Sequence, residues 1–218
     1  MVNLEVQLSS RVKGESMLDT IFTLEALHVD VFVLRDSEVG VPAMVAANVA
    51  PHVSVLSAGE AHVSHPTQGL LDALTVLQHK RACERLSIAI VGDIAHSRVA
   101  RSAWHALSTL GARDVRLVAP ASLMPDTDEF TGCARETDID RGIAGCDVVM
   151  MLRIQRERFA DAAIPAGDDY FREFGLTAAR LAQAKPDAIV MHPQPLNRGV
   201  EKSAMTISSW RRGVTSPE

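Results

Sequence analysis

Residues 86–111 have the sequence LSIAIVGDIAHSRVARSAWHALSTLG, a short apolar run followed by a helical pattern. The run 86–91 is almost wholly apolar, so it predicts a strand that is covered on both faces. From Val99 to Leu110 the apolar residues recur at helical spacing, and Gly111 is typical of the position just beyond a helix end. A buried strand joined to a helix in this way indicates a parallel α/β sheet.

Similar runs and helical patterns alternate on both sides of this segment. Strands are predicted at 29–34, 52–56, 115–118, 146–152 and 188–191, an extended segment at 3–6, and helices at 16–27, 39–49 and 66–78. In the last of these helices, one apolar stripe predicts a face that packs on a core. The stripe consists of Leu70, Leu71, Leu74 and Leu77. The alternation predicts an α/β protein with a parallel sheet covered on both faces.

The composition is that of an ordinary globular protein, because 47% of the 218 residues are hydrophobic and 22% are charged. These values exclude a disordered or fibrous chain. A net charge of −5 gives no overall attraction to nucleic acid or to an anionic membrane. With 4% aromatic residues, a stacking platform for single-stranded nucleic acid is also disfavoured. Any bound anion must therefore be held by a local group of Arg and Lys.

Targeting and redox signals are missing from the sequence. No apolar run approaches the ~20 residues of a membrane helix, and residues 1–5 lack the basic and apolar regions of a signal peptide. Cys83, Cys133 and Cys146 are odd in number and have no C-x-x-C spacing, which predicts neither a disulfide framework nor a zinc site. The sequence predicts a soluble, cytoplasmic protein.

Cationic residues recur where the predicted strands end. They include Arg35, His65, Arg98, Arg153 and His192. Ligands of open α/β sheets bind beyond the carboxyl ends of the strands, so these positions indicate one anion-binding edge. Helix N-termini add N–H donors there, and Arg side chains bind phosphate and carboxylate groups in a bidentate way. The predicted ligand is a small polyanion.

Each of these residues also has a purely structural interpretation. A single Arg after a strand is more often a surface ion pair, Thr67 and Gln68 can cap a helix, and His65 can be a structural histidine. Residues 92–93 lack the G-x-G-x-x-G and Walker patterns of nucleotide loops. The H-x-x-H spacing that His62 forms with His65 has no Cys or carboxylate ligands beside it, so no metal is predicted. The joint occurrence of five such elements in this order favours a binding site.

Five segments together resemble the sequence motifs of the aspartate carbamoyltransferases. They are 9–16 (SSRVKGES) with Asp19 and Thr20, 65–75 (HPTQGLLDALT), 92–102 (GDIAHSRVARS), 152–158 (LRIQRER) and 192–201 (HPQPLNRGVE). The resemblance covers residues 2–201 and implies two parallel-sheet α/β subdomains, the first of them incomplete. It implies a partial carbamoyl-phosphate-binding domain at 1–68, a linking helix at 69–84, an aspartate-binding domain at 85–200 and a divergent C-terminal tail at 201–218.

This resemblance implies both a reaction and an oligomeric state. The family transfers the carbamoyl group of carbamoyl phosphate to L-aspartate, giving N-carbamoyl-L-aspartate and phosphate in pyrimidine biosynthesis. The chemistry uses no metal and no organic cofactor. The family forms homotrimers whose subunits share active sites, and the predicted partners are therefore the two substrates and further copies of the chain.

The resemblance also implies roles for residues of the first half. Arg35 and His65 would contact carbamoyl phosphate, with His65 donating a hydrogen bond to the carbonyl oxygen. Gln68 would bind the carbamoyl amide. Ser9 and Lys13 match loop residues that enter the active site of the neighbouring subunit.

In the second half, the implied roles concern aspartate. Arg98 and Arg153 would hold its two carboxylates, helped by Gln155. Backbone carbonyl groups near the attacking nitrogen would come from the loop of Pro193, Pro195 and Leu196.

Several positions depart from the family pattern. Asp36 replaces the family His beside Arg35, which predicts a carboxylate competing for that guanidinium. Ala61 and Gln194 stand where the family has glycine, which predicts strain if these positions require a positive φ. The family segment S-T-R-T-R, which cradles the phosphate, would precede the Lys13 loop and is not found in the sequence.

Three functional hypotheses follow. The chain is an aspartate carbamoyltransferase, a non-catalytic fragment or pseudoenzyme of that family, or a sister enzyme that uses ornithine. Two Arg side chains suit a dicarboxylate and would repel the cationic side chain of ornithine. Because the phosphate cradle is missing, we expect very weak or no activity from this chain alone, unless its reading frame begins upstream. We also expect uncovered apolar surface on helix 16–27 and the first strands, and therefore association of the chain.

Overall fold

The computed structural model describes residues 14–126, 128–154 and 167–193. The chain divides between Thr67 and Gln68 into two units, called here the first unit and the second unit. Both are built from parallel strands and helices, as the sequence predicts. Among the helices of the described ranges, none has the length and apolar character needed to cross a bilayer.

The described part of the first unit contains two helices and two strands. In chain order these are α1 (Met17–Ala26), β1 (Val31–Asp36), α2 (Val41–Asn48) and β2 (Ser54–Glu60). A capping box starts α1, because the Ser16 hydroxyl accepts from the Asp19 amide at 3.1 Å and the Asp19 carboxylate accepts from the Ser16 amide at 3.0 Å. The two strands pair in parallel, with Val31 opposite Ser54.

The core of the first unit is small. Among residues 14–67, five buried side chains form it: Ile21, Phe32, Val41, Val45 and Val53. On the strands, Val31, Val33 and Leu56 are 50%, 64% and 48% exposed. The expected uncovered apolar surface is therefore present on the first strands, while association of the chain stays a prediction.

The second unit contains one five-stranded sheet in the part that the structure describes. Its elements are α3 (Pro66–Lys80, which begins two residues before the division), β3 (Ser87–Val91), α4 (Arg98–Thr109), β4 (Asp114–Val118), β5 (Ala134–Glu136), α5 (Ile139–Ile143), β6 (Val148–Met151), α6 (Gly167–Phe174), α7 (Ala178–Leu181) and β7 (Ile189–Met191). The strand order is β5-β4-β3-β6-β7, and all neighbours are parallel. Every residue of β6 is buried, as expected for a strand covered on both faces.

The predicted stripe of α3 is wrong for three of its four leucines, and only Leu77 packs against the core. Leu70, Leu71 and Leu74 are 67%, 50% and 52% exposed, and the buried residues of this helix are instead Gly69, Asp72, Ala73 and Val76. The reason is close packing: a Cβ on Gly69 would lie 2.5 Å from the carbonyl oxygen of Ser102 in α4. The helix thus packs through the face that contains Gly69, Ala73 and Val76, with Leu77 partly buried against the core, while Leu70, Leu71 and Leu74 lie outside.

The α4 prediction is confirmed. Ser97 caps the helix by accepting from the Ala100 amide at 3.1 Å. Gly111 has φ +88°, the left-handed conformation expected of a residue just beyond a helix end. This cap fixes where Arg98, the first residue of the helix, leaves the loop after β3.

Candidate active site

Three neighbouring strands of the second unit end at the same edge of the sheet. β3 lies beside β6, and β6 lies beside β7, all in parallel. Gly92 and Asp93 follow β3, Arg153 follows β6, and His192 and Pro193 follow β7. The structure therefore brings together the segments that carry the predicted aspartate-binding residues of this half.

The residues that directly follow β3 and β6 pack against each other. The Leu152 amide donates to the Val91 carbonyl oxygen at 2.7 Å. Gly92 has φ +134°, and a Cβ there would lie 2.9 Å from the Leu152 carbonyl oxygen. Only glycine meets both conditions without a shift of the backbone, so Gly92 fixes the separation of the loops that lead to Arg98 and Arg153.

The two arginines differ in burial. Arg98 is only 8% exposed and lies in the first turn of α4, whereas Arg153 is half-buried. Backbone N–H groups at a helix N-terminus favour anions, and a guanidinium there offers a planar set of donors. Arg98 and Arg153 follow adjacent strands, and two guanidinium groups suit a ligand with two carboxylates.

Asp93 and His96 form a pair that the sequence interpretation did not assign. Asp93 is fully buried, and its Oδ1 lies 2.8 Å from His96 Nδ1 and accepts from the His96 amide at 3.2 Å. A carboxylate can only accept, so Nδ1 carries the ring proton in this pair. The D-x-x-H spacing within residues 92–102 could have indicated this contact, which holds the loop that precedes Arg98.

Gln68 and Asp72 form a second unassigned pair, on α3. Gln68 Nε2 donates to Asp72 Oδ1 at 2.9 Å, and Asp72 is 5% exposed. Burial raises the pKa of Asp72 to about 6, although the hydrogen bond from Gln68 acts in the opposite direction. Residues four apart on a helix are neighbours, so the spacing of these two residues was the available signal.

In the first unit, His65 is half-buried and directly precedes α3. Its Nδ1 lies 3.3 Å from the Thr67 hydroxyl oxygen. When the hydroxyl donates to Nδ1, the ring proton lies on Nε2, which then is a hydrogen-bond donor. The local geometry thus fits the donor role that the resemblance implies for His65.

Arg35 lies inside β1 and not after it, because the strand runs two residues further than predicted. Its side chain is exposed, and the strand register shifts at this point, between Leu34 and Asp36. Such irregularities redirect side chains near functional sites.

The competition expected between Asp36 and Arg35 stays a prediction. Successive residues of a strand point to opposite faces, and Asp36 Oδ1 accepts from the Glu38 amide at 2.9 Å. Ala61, in contrast, has φ +41°, so the predicted positive φ at this non-glycine residue is confirmed.

Several predicted site residues lie outside the described ranges. They are Ser9, Lys13, Gln155, Pro195 and Leu196, together with the departure at Gln194. Within the described ranges, no group of three His, Cys, Asp or Glu side chains could hold a metal ion. Burial raises the pKa of Cys133 and Cys146 to about 11, so both are neutral thiols near pH 7.

Two family models match the chain. The carbamoyl-P binding domain of aspartate/ornithine carbamoyltransferase matches residues 1–78, and the Asp/Orn binding domain matches residues 84–214. The chain belongs to the aspartate/ornithine carbamoyltransferase family. The second match includes most of the segment 201–218 that the sequence analysis separated as a tail.

Within this family, the chain is similar to solved structures of aspartate transcarbamoylase from Trypanosoma cruzi. The complex with carbamoyl aspartate and phosphate has 32% identity and a TM-score of 0.81, over 97% of this chain and 68% of that chain. The complex with carbamoyl phosphate gives the same four values. The complex with N-(phosphonacetyl)-L-aspartic acid has 32% identity and a TM-score of 0.77, over 97% of this chain and 66% of that chain. The chain thus spans about two thirds of the length of these relatives, and the predicted family and fold are confirmed.

Proposed function

We propose that the chain transfers the carbamoyl group of carbamoyl phosphate to L-aspartate, in pyrimidine biosynthesis, with very weak or no turnover by this chain alone. The observation that carries this proposal is the placement of Arg98 and Arg153 beyond adjacent strands of the second unit. Two guanidinium groups suit a dicarboxylate, whereas ornithine would bring a cationic side chain to them. The Trypanosoma cruzi enzyme has been solved with aspartate and with carbamoyl phosphate, which supports the same substrates here.

Carbamoyl phosphate would be bound by Arg35, His65 and Gln68. Arg35 would contact the phosphate, and His65 Nε2–H would donate to the carbonyl oxygen, where negative charge develops as the amine attacks. Gln68 would bind the amide end. A donor suffices for the His65 role, since the imidazole stabilises charge and does not need to remove a proton.

Aspartate would be held by Arg98 and Arg153, assisted by Gln155, with its amine next to the carbonyls of the Pro193, Pro195 and Leu196 loop. The amine nitrogen forms the new C–N bond to the carbamoyl carbon, and the C–O bond to phosphate breaks. The amine loses one proton, and the departing phosphate accepts it. Most of the rate enhancement would come from positioning and from fixed hydrogen-bond donors.

The proposal includes a homotrimer of cytoplasmic subunits. Ser9 and Lys13 match loop residues that act in the neighbouring subunit, so each site would need two chains. Sedimentation of the purified chain with N-(phosphonacetyl)-L-aspartate would reveal whether three copies associate.

The decisive experiment is an assay of N-carbamoyl-L-aspartate formation from radiolabelled carbamoyl phosphate. Arg98→Ala and Arg153→Ala should each lower kcat/KM for aspartate about 10–100-fold, because each removes a charge-assisted bidentate contact. Arg141→Ala is the matched control, since Arg141 is an exposed arginine of the same unit. Its kcat/KM should stay within about 2-fold of the parent chain.

Two outcomes would contradict the proposal. Citrulline formation from ornithine, with no product from aspartate, would identify the sister activity. Binding of N-(phosphonacetyl)-L-aspartate without turnover of either substrate would favour the non-catalytic alternative.

A further inference from the structure

Gln68 and Asp72 lie one turn apart on α3, and the glutamine amide nitrogen donates to the aspartate carboxylate at 2.9 Å. We propose that Asp72 is a positioning residue that orients the Gln68 amide so that it accepts from the NH₂ of the carbamoyl group. This inference rests on the proposed function and assigns to Asp72 a specificity role in carbamoyl phosphate binding.

The chemistry of the two groups determines the orientation. A glutamine amide has one donor end and one acceptor end, and rotation by 180° exchanges them. An ionised carboxylate can only accept, so Asp72 retains the NH₂ end of Gln68. The acceptor Oε1 is then turned away from Asp72, where it can take an N–H of a carbamoyl group. A bare phosphate or an acetyl phosphate has no N–H to offer at that position.

The environment of Asp72 supports a functional reason for its presence. It is 5% exposed, and its Oδ2 is buried without a hydrogen-bond partner among the described residues. A buried acceptor without a partner destabilises a fold, and an apolar residue at this helix position would avoid that cost. Burial raises the pKa of Asp72 to about 6, so the carboxylate is still mostly ionised at neutral pH and keeps its acceptor role.

The position of the pair is fixed by the neighbouring glycine. A Cβ on Gly69 would lie 2.5 Å from the Ser102 carbonyl oxygen, so α3 and α4 are in backbone contact directly beside Gln68. This contact limits rotation of α3 about its axis. Gln68 therefore cannot reach a new partner by a shift of the helix when Asp72 is removed.

The test compares two probes that differ in their amide. Phosphonoacetamide carries a phosphonate and an NH₂ group, whereas inorganic phosphate has no amide. Calorimetric titration of the full chain should show about 10-fold weaker phosphonoacetamide binding for Asp72→Ala, with phosphate affinity within about 2-fold of the parent chain. Gln68→Ala should show the same selective loss, and the double variant should lose no more than either single variant.

Asp147→Ala is the matched control. Asp147 is also a buried carboxylate of the second unit, but it accepts from the Ser87 amide and from Lys185 at the opposite end of the strands. This variant should change neither affinity. If Asp72→Ala does not fold, Asp72→Asn keeps the size of the side chain. Its amide can meet Gln68 in either orientation, so we expect a selective loss of about 3-fold.

An equal loss of affinity for phosphonoacetamide and phosphate would overturn the proposed role of Asp72. Additive losses of phosphonoacetamide affinity in the double variant would overturn it as well. If the parent chain binds neither probe, the proposed function fails and the Asp72 contact needs a readout that does not depend on a ligand. The side-chain ¹⁵N–¹H signals of Gln68 supply it, since they should move in Asp72→Ala and stay in place in Asp147→Ala. Unmoved Gln68 signals would overturn the inference as well.

Discussion

The first unit places five buried side chains behind two strands, whereas the core cluster of the second unit contains 32 residues around five strands, counted over the described ranges. The proposed carbamoyl phosphate contacts Arg35 and His65 belong to the smaller scaffold, and Arg98 and Arg153 to the larger one. Local opening is easiest where few apolar contacts must be broken. We therefore expect the two groups of proposed site residues to be held with different rigidity.

The exposed strand face explains part of this difference. Val33 is 64% exposed on β1, while the central strand β3 of the second unit has Ile88, Ala89, Ile90 and Val91 with no exposed surface. Parallel strands are normally covered on both faces, and among the described residues β3 and β6 of the second unit meet this condition. Because the first unit has the smaller core, we expect its side chains to be held less rigidly than those of the second unit.

The largest expected effect comes from core truncation in the second unit. Leu107→Ala should lower the free energy of unfolding by about 2–5 kcal/mol, because Leu107 has no exposed surface and its removal leaves a cavity. Leu56→Ala in the first unit, at a side chain that is 48% exposed, should cost less than about 1 kcal/mol. Urea unfolding, followed by hydrogen exchange of peptides from each unit, would measure both. Similar losses of unfolding free energy in the two variants would contradict the expected difference between the two units.

The sequence predicted the second sheet well because its strands are buried and apolar. The run 86–91 differs by one residue from β3 (Ser87–Val91), and β4 and β7 were also found within one residue. β5 (Ala134–Glu136) was missed, since two of its three residues are exposed and two are charged, and no apolar run marks it. Short edge strands of this kind depend on their neighbours and not on their own sequence.

From the sequence, the cations of the candidate site are proposed but its buried carboxylates are not. Arg98 and Arg153 were identified because strand ends have a known function in open sheets. Asp93 and Asp72 were assigned no role, since a buried carboxylate is recognised only when the fold shows what surrounds it. The prediction of the apolar stripe of α3 was wrong for a related reason, because the backbone contact at Gly69 determines which face of the helix is buried.

Asp72 should make the stability of the second unit depend on pH. Its pKa is raised to about 6 from 3.8, so the folded state binds a proton that the unfolded state releases between these values. The destabilisation by the buried charge is complete above pH 6 and disappears as the pH falls to about 4. Asp72→Asn should therefore be more stable than the parent chain at pH 8, by at most about 3 kcal/mol, and equally stable near pH 4.

Chemical unfolding of both proteins between pH 4 and pH 8 would measure this difference. Asp187→Asn is a control of opposite sign, because the hydrogen bond from Lys80 lowers the pKa of this exposed carboxyl group. The parent chain should be the more stable protein at neutral pH in that pair and lose its advantage on acidification. A pH-independent difference between Asp72→Asn and the parent chain would show that burial does not perturb this carboxylate.

The smallest expected effect concerns the weaker scaffold. Ala61 has φ +41°, a conformation that costs an L-residue about 1–2 kcal/mol and costs glycine nothing, although glycine loses about 0.5–1 kcal/mol more backbone entropy on folding. Ala61→Gly should therefore stabilise the first unit by about 0.5–1 kcal/mol, seen as slower hydrogen exchange in β2 (Ser54–Glu60) with no change in β3. Ala58→Gly, within the same strand and without a positive φ, should speed that exchange. If both glycine variants destabilise β2, the left-handed turn after this strand is not a source of strain, and the weakness of the first unit lies in its core alone.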